Sequence, residues 1–263
     1  MWTSHSTTLA GPSGLGGMRK PVPDDQVGVW RAGGYPAGRI LCVADGLGSA
    51  TRASEAASLA LGLARQYTTM ANFSTSVEEP RNDGALLRYF VEVTGRVQTE
   101  FLSQTKASTE YGTTLAIVLV VNRSTLLVRS WGDSLLIVGD SNGETPRMKR
   151  LLSPERAETL SGTSTLNSKD PEASRTFIYR GNSFDSVLLS TDGLEFMVHQ
   201  PSGPDEDFAV TDAARKIVEY VRDQRPHLVD ALLAGEDASW QARKRDDCGI
   251  SVVAWKEPRG ARR

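Results

Sequence analysis

The sequence predicts an α+β domain with antiparallel strands inside and helices outside, and three observations carry that reading. Apolar, β-branched runs follow one another at short spacing from residue 112 onward; two segments between residues 51 and 101 place apolar residues at helical intervals; and strands do not alternate regularly with helices, as a parallel sheet would require. A chain of 263 residues can bury one large core or two small ones, and no shift of composition marks a second unit. One domain spanning residues 1–263 is therefore expected.

Taken in order, "VGVW" (27–30) and "ILCVA" (40–44) read as two strands joined by "RAGGYPAG", a Gly/Pro turn of hairpin type. Ala53, Ala56, Ala57, Ala60 and Ala64 then recur at helical spacing, and small side chains on one face let a helix lie close to a sheet. "TTMANFSTSVEEPRNDG" reads as a surface loop. After it, Leu86, Phe90, Val93, Val97 and Phe101 form the apolar stripe of a second helix. Strands are expected in "TTLAIVLVV", "RSTLLVRSWGDSLLIVGD", "RTFIYRG", "DSVLLSTDG" and "GISVVAW". Between the last two, Ala214, Ile217, Val218 and Val221 predict another amphipathic helix with Asp212 as its N-cap. Residues 150–176 are polar and lack apolar periodicity, which reads as a long surface excursion, and the basic tail "KEPRGARR" reads as solvated.

Several classes are excluded. A formal net charge of -2 gives no electrostatic footprint for nucleic acid or anionic lipid. No run approaches the roughly 18 consecutive apolar residues of a membrane helix, and "MWTSHSTTLAGPSG" lacks the basic start and apolar block of a secretion signal. A cytoplasmic protein with neither nucleic-acid nor membrane partners is expected. Cys42 and Cys248 lie in or beside apolar runs without CxxC spacing, and buried free thiols are expected. "GLGGM" and "GGMRK" do not match GxxxxGK[ST] and do not link a strand to a helix, so a nucleotide loop is set aside.

The acidic residues carry the chemistry. Asp45 follows "ILCVA", Asp133 sits in "SWGDSLLIV", Asp192 follows "VLLST", and Asp246 and Asp247 precede "GISVV", each at the margin of an apolar strand. An unpaired carboxylate there costs several kcal/mol to desolvate. No regular basic partner accompanies these acids, and a hard divalent cation, Mg²⁺ or Mn²⁺, is the simplest neutraliser. His5, His199 and His227 share no zinc-site spacing and read as surface residues. A single Asp-Gly is more often an ordinary turn, but acids at three strand ends of one chain favour the metal.

In order, "PDDQ", "VADGLGS", "YGTTLAIVLV", "SWGDSLLIV", "LLSTDGL" and "DDCGISVVAW" resemble the motifs of metal-dependent Ser/Thr protein phosphatases, the PPM or type 2C family, over roughly residues 18–255. "VADGLGSA" followed by a Ser/Ala-rich helix is most similar to the bacterial branch. The resemblance implies a central antiparallel β-sandwich flanked by helices on both sides, a four-layer αββα arrangement, with a two-metal centre at one end. Carried over by motif, Asp45 resembles the carboxylate that bridges the two ions and Gly46 the residue whose carbonyl binds the second. Asp192 and Asp247 resemble the remaining ligands of the first ion. Asp25 matches the acid of the first motif, with Asp24 where Glu is usual, and Asp133 matches the acid that helps hold a third, weaker ion in bacterial relatives. The resemblance adds an alternative for residues 150–176: either a plain surface excursion or the flap that borders the site in those relatives.

The implied reaction is hydrolysis of phospho-Ser or phospho-Thr in proteins, the products of a Ser/Thr kinase, by a water that bridges two Mn²⁺ or Mg²⁺ ions. Two cations neutralise the phosphate dianion and lower the pKa of that water, so no covalent intermediate is needed. Asp45, Asp192 and Asp247 would be the catalytic acids. Three positions depart from the pattern. Where the family commonly carries a phosphate-binding Arg this chain has Lys20, with Arg19 adjacent, and Lys cannot make the bidentate fork. Leu47 stands where eukaryotic relatives often carry a His that protonates the leaving group. In "DDCGIS" the hydroxyl falls one place late, which leaves Asp246 or Asp247 as the ligand, and Asp247 is preferred. The alternative is a catalytically weak or dead relative that binds phosphoproteins or regulates a partner; a dead relative usually lacks one of the carboxylates, whereas every expected position here is Asp.

Overall fold

The computed structural model of the chain describes residues 1–10, 23–74, 83–140, 147–152, 164–168, 173–198, 206–234 and 247–256. Among the described residues, ten strands form two five-stranded sheets. Sheet one has the order β1-β10-β9-β6-β7, from β1 (Trp2–Leu9), β10 (Cys248–Trp255), β9 (Phe184–Ser190), β6 (Leu135–Asp140) and β7 (Arg147–Leu152). Sheet two has the order β2-β3-β4-β5-β8, from β2 (Gln26–Ala32), β3 (Tyr35–Ala44), β4 (Leu115–Val120), β5 (Thr125–Trp131) and β8 (Arg175–Arg180). Every pairing is antiparallel. Helices α1 (Ala53–Met70) and α2 (Asp83–Thr105) cover sheet two; α4 (Glu206–Arg222) and α5 (Pro226–Ala234) cover sheet one; the short α3 (Gly193–Val198) follows β9. The expected α+β class, with antiparallel strands inside and helices on both flanks, is what the chain adopts.

Strand alternation sorts the core into three apolar layers. Odd-numbered Leu41 and Val43 of β3 meet Val187 and Leu189 of β9 between the sheets, while even-numbered Ile40, Cys42 and Ala44 face the other way, towards α1 and α2. The Ala face of α1 is buried as its spacing predicts, and all five apolar residues of the α2 stripe are buried with it. Burying a side chain such as Phe90 or Phe101 contributes about 1.5–3 kcal/mol, so packing rather than propensity holds α2 in place. Arg129 of β5 is also buried against α2, where its guanidinium donates to Val91 O and Thr94 Oγ1 and stacks 4.4 Å over the Trp131 ring. Burial lowers its pKa to about 10.

Both cysteines are free and buried, and burial pushes the Cys42 thiol pKa up, which leaves that side chain an inert part of the core. Of the histidines, His227 is exposed, His5 is partly covered beside Asp230, and His199 lies outside the described residues. No helix among the described residues is long and apolar enough to cross a membrane.

Four local expectations give way to tertiary context. "WTSHSTTL" has too few apolar residues to announce a strand, yet it pairs along its whole length with β10, Trp2 opposite Trp255. β7 begins before the polar excursion and pairs with β6; within that excursion, Leu166 is fully buried in the layer beneath sheet two. α5 was not anticipated. Asp212 lies inside α4 rather than at its N-cap, because the helix starts at Glu206; its carboxylate instead pairs with Arg215 and Lys216 on the next turn, which lowers its pKa.

Candidate active site

The hairpin sets the first two acids. Gln26 pairs with Ala44, so Asp25, just before β2, and Asp45, just after β3, leave sheet two at the same end. Asp45 is strapped there through its main chain: its N–H donates to Thr114 Oγ1 at 3.2 Å, and its carbonyl accepts from Thr114 N–H and Thr113 Oγ1, both at 2.8 Å. Gly46 bridges to Thr113, and Leu47 N–H donates to Gly112 O at 3.0 Å. The segment "YGTT" thus serves as a clamp for the segment "VADGL".

Sheet one delivers the others. Ser190 pairs with both Leu135 and Ile250, so Asp192 just past β9, Asp247 just before β10 and Asp133 two residues before β6 extend from one end of that sheet. The carbonyl of Asp192 accepts from Glu195 N–H at 2.8 Å and opens α3. A Cβ on Gly193 would lie 1.7 Å from the carbonyl oxygen of Asp247, so the turn carrying Asp192 presses directly on the backbone of Asp247. Gly132, before Asp133, has φ +114, a conformation that favours glycine; its carbonyl accepts from Arg175 at 2.7 Å. A Cβ there would lie 2.6 Å from Thr114 Cγ2, so the Asp133 turn packs on the residue that holds Asp45.

Hydrogen bonds join the two sheets at this end. Thr191 Oγ1 donates to Asp25 Oδ2 at 2.8 Å, and Asp24 N–H donates to Asp247 Oδ2 at 2.7 Å. Asp25 and Asp247 are 1% and 3% exposed, so each of these contacts offsets part of a large desolvation penalty. Asp45, Asp133 and Asp192 are half-buried.

Five of the acids singled out by sequence therefore gather at one end of the sandwich, with the Gly46 carbonyl in the same turn as Asp45. Among the described residues, however, no three His, Cys, Asp or Glu side chains converge as ligands for one ion. The carboxylates of Asp25 and Asp247 each accept a hydrogen bond from the other sheet. The donor set fits a hard divalent cation in kind, since it is all oxygen, with neither thiolate nor imidazole in it. Lys20, Arg19 and Asp246 lie outside the described residues, as does most of 150–176.

Sequence reasoning missed Thr191, Thr113 and Thr114 as parts of the site. The signal was present for Thr191: it continues the inward row of Val187 and Leu189, where an apolar side chain is the default and a hydroxyl needs a partner.

Comparison with known proteins bears on the family and the fold. The sequence model of the family described as Protein phosphatase 2C matches residues 20–233. No curated protein matches the chain in sequence. Among solved structures, the serine/threonine phosphatase of S. agalactiae is 15% identical and superposes with a TM-score of 0.63, covering 98% of this chain and 100% of its own. That of Staphylococcus aureus is 15% identical with a TM-score of 0.59, covering 98% and 96%. That of Mycobacterium tuberculosis is 12% identical with a TM-score of 0.61, covering 97% and 99%. Likeness at these identities concerns the fold.

Proposed function

Because the chain belongs to the protein phosphatase 2C family, we propose that it is a metal-dependent phosphoprotein phosphatase that removes phosphate from Ser or Thr. The observation that carries this reading is the meeting of strand-end acids from both sheets at one end of the sandwich, where Asp25 and Asp247 are each held across the inter-sheet gap. The solved structures of similar fold are bacterial serine/threonine phosphatases by description, which supports the same substrate class and a place in the bacterial branch.

In this reading Asp25, Asp45, Asp192 and Asp247, with the Gly46 carbonyl, hold two Mn²⁺ or Mg²⁺ ions, and Asp133 helps hold a third, weaker one. Such ions supply positive charge against the phosphate dianion and acidify the attacking water. The chain's own contribution is placement: Thr113 and Thr114 fix the main chain on either side of Asp45, and the Gly193 turn fixes the spacing of Asp192 and Asp247. Lys20, or Arg19 beside it, is the proposed phosphate-binding cation, and Leu47 leaves leaving-group protonation to solvent. The proposed unit is a single catalytic domain over residues 1–263, acting in the cytoplasm on products of a Ser/Thr kinase.

Hydrolysis of p-nitrophenyl phosphate and of a phosphothreonine peptide, measured with Mn²⁺, with Mg²⁺ and with EDTA, tests this. Turnover with either ion that is abolished by chelation is expected. Turnover that survives full chelation, or binding of the peptide with no turnover under any ion, would replace the reading with a metal-independent enzyme or a phosphoprotein-binding relative.

A further inference from the structure

Thr191 occupies a position that none of the proposed catalytic roles uses. It is 1% exposed, at the end of the inward row of β9, and its hydroxyl makes two contacts of opposite sense. It accepts from Gly249 N–H at 2.9 Å and donates to Asp25 Oδ2 at 2.8 Å. The backbone beside it is fixed as well, since Thr191 N–H donates to Gly249 O at 3.0 Å. A hydroxyl carries a single proton. With the Gly249 amide filling an acceptor site, that proton is directed to the carboxylate, and an O–H donor to an ionised acceptor makes one of the stronger hydrogen bonds.

We infer that Thr191 is a positioning residue whose hydroxyl, held by the Gly249 amide, fixes the rotation of the Asp25 carboxylate and so the direction in which it presents its oxygens to a divalent cation. The inference rests on the cation reading of the site given above. It assigns "STDG" a role in each sheet: Asp192 is a proposed ligand on sheet one, while Thr191, one residue earlier and facing inward, orients a proposed ligand on sheet two.

Calorimetric titration of Mn²⁺ into the full chain tests it, with Thr191→Val, Thr191→Ser, Asp25→Asn and the double variant Asp25→Asn/Thr191→Val. Valine keeps the branching and removes the hydroxyl, and is expected to weaken Mn²⁺ binding about tenfold, whereas serine holds it within about twofold of wild type. The double variant is expected to bind no more weakly than Asp25→Asn alone, because the hydroxyl then has no charged ligand to orient. Some loss of thermal stability accompanies Thr191→Val whatever its role, since the Gly249 amide loses an acceptor. Affinity and the double variant therefore decide. Unchanged Mn²⁺ affinity in Thr191→Val beside a wild type that binds, or a full further loss in the double variant, overturns this inference alone. A wild type that takes up no Mn²⁺ overturns the cation reading and this inference with it. Should Thr191→Val not fold, Thr191→Cys, smaller and with only a weak donor, carries the same comparison.

Discussion

Asp45→Ala is expected to lower turnover of a phosphothreonine peptide at saturating Mn²⁺ by about 10³-fold or more, ~4 kcal/mol of transition-state stabilisation, while Asp133→Ala lowers it by only about tenfold. The difference follows from position. Asp45 leaves the second strand of the hairpin and is clamped through its main chain by Thr113 and Thr114, so its carboxylate is presented by a rigid main chain to the proposed shared position between two ions. Asp133 belongs to a turn between sheets and is proposed to serve the weaker, third ion. Removing the side chain of Asp45 leaves the clamp intact, because those contacts are to its backbone; both variants should therefore fold, and circular dichroism provides the control. Equal losses in the two variants would mean that the roles are assigned wrongly.

Gly193→Ala is expected to be the most damaging single methyl in the site. Its Cβ would lie 1.7 Å from Asp247 O and 2.7 Å from Asp247 C. Neither atom can retreat cheaply, since β10, which starts at the next residue, is paired on one side with β1 and on the other with β9. Forced overpacking of this kind costs about 3 kcal/mol, a fall of roughly 6–12 °C in Tm for a chain of this size. Whatever relief the backbone finds must shift Asp247 away from Asp192, so activity should fall further than stability accounts for. Gly48→Ala is the matched control, because a Cβ there meets nothing within 4 Å. A Gly193→Ala variant that melts and turns over like Gly48→Ala would remove the close approach on which the argument depends.

How much of this was legible beforehand depended on whether a residue's partner was near in sequence. The α2 stripe was complete because helical periodicity is a local signal, and all five residues are buried where the spacing put them. The β2–β3 hairpin was legible for the same reason. β1 was not, because its strand character comes from a partner at the far end of the chain rather than from its own apolar content. Asp212 misled because a capping residue and a mid-helix ion-pairing residue look alike until the helix start is known. In the site, the acids were visible as charges at strand margins, but the threonines that hold them were not: Thr113, Thr114 and Thr191 are unremarkable strand-end residues in sequence, and gain their roles only where β3 and β4 lie side by side or where the two sheets meet.

The pairing of β10 between β1 and β9 also sets an order of assembly. Sheet two is built from strands in sequence order, with hairpins at β2–β3 and β4–β5 and with α1 and α2 inserted between β3 and β4, so each of these strands pairs with one already made. Sheet one cannot be completed that way: β10, the last strand, lies between β1 and β9, and its pairing brings Trp255 back to Trp2 across almost the whole length of the chain. Until then β9 and β1 are open edges, a nascent chain's most adhesive surface. The β2–β3 hairpin thus brings Asp25 and Asp45 to one end early, before the threonines that hold them are made, and Asp247 joins them with the strand that covers both edges. Covering those two edges and completing the proposed metal site therefore fall to the same strand.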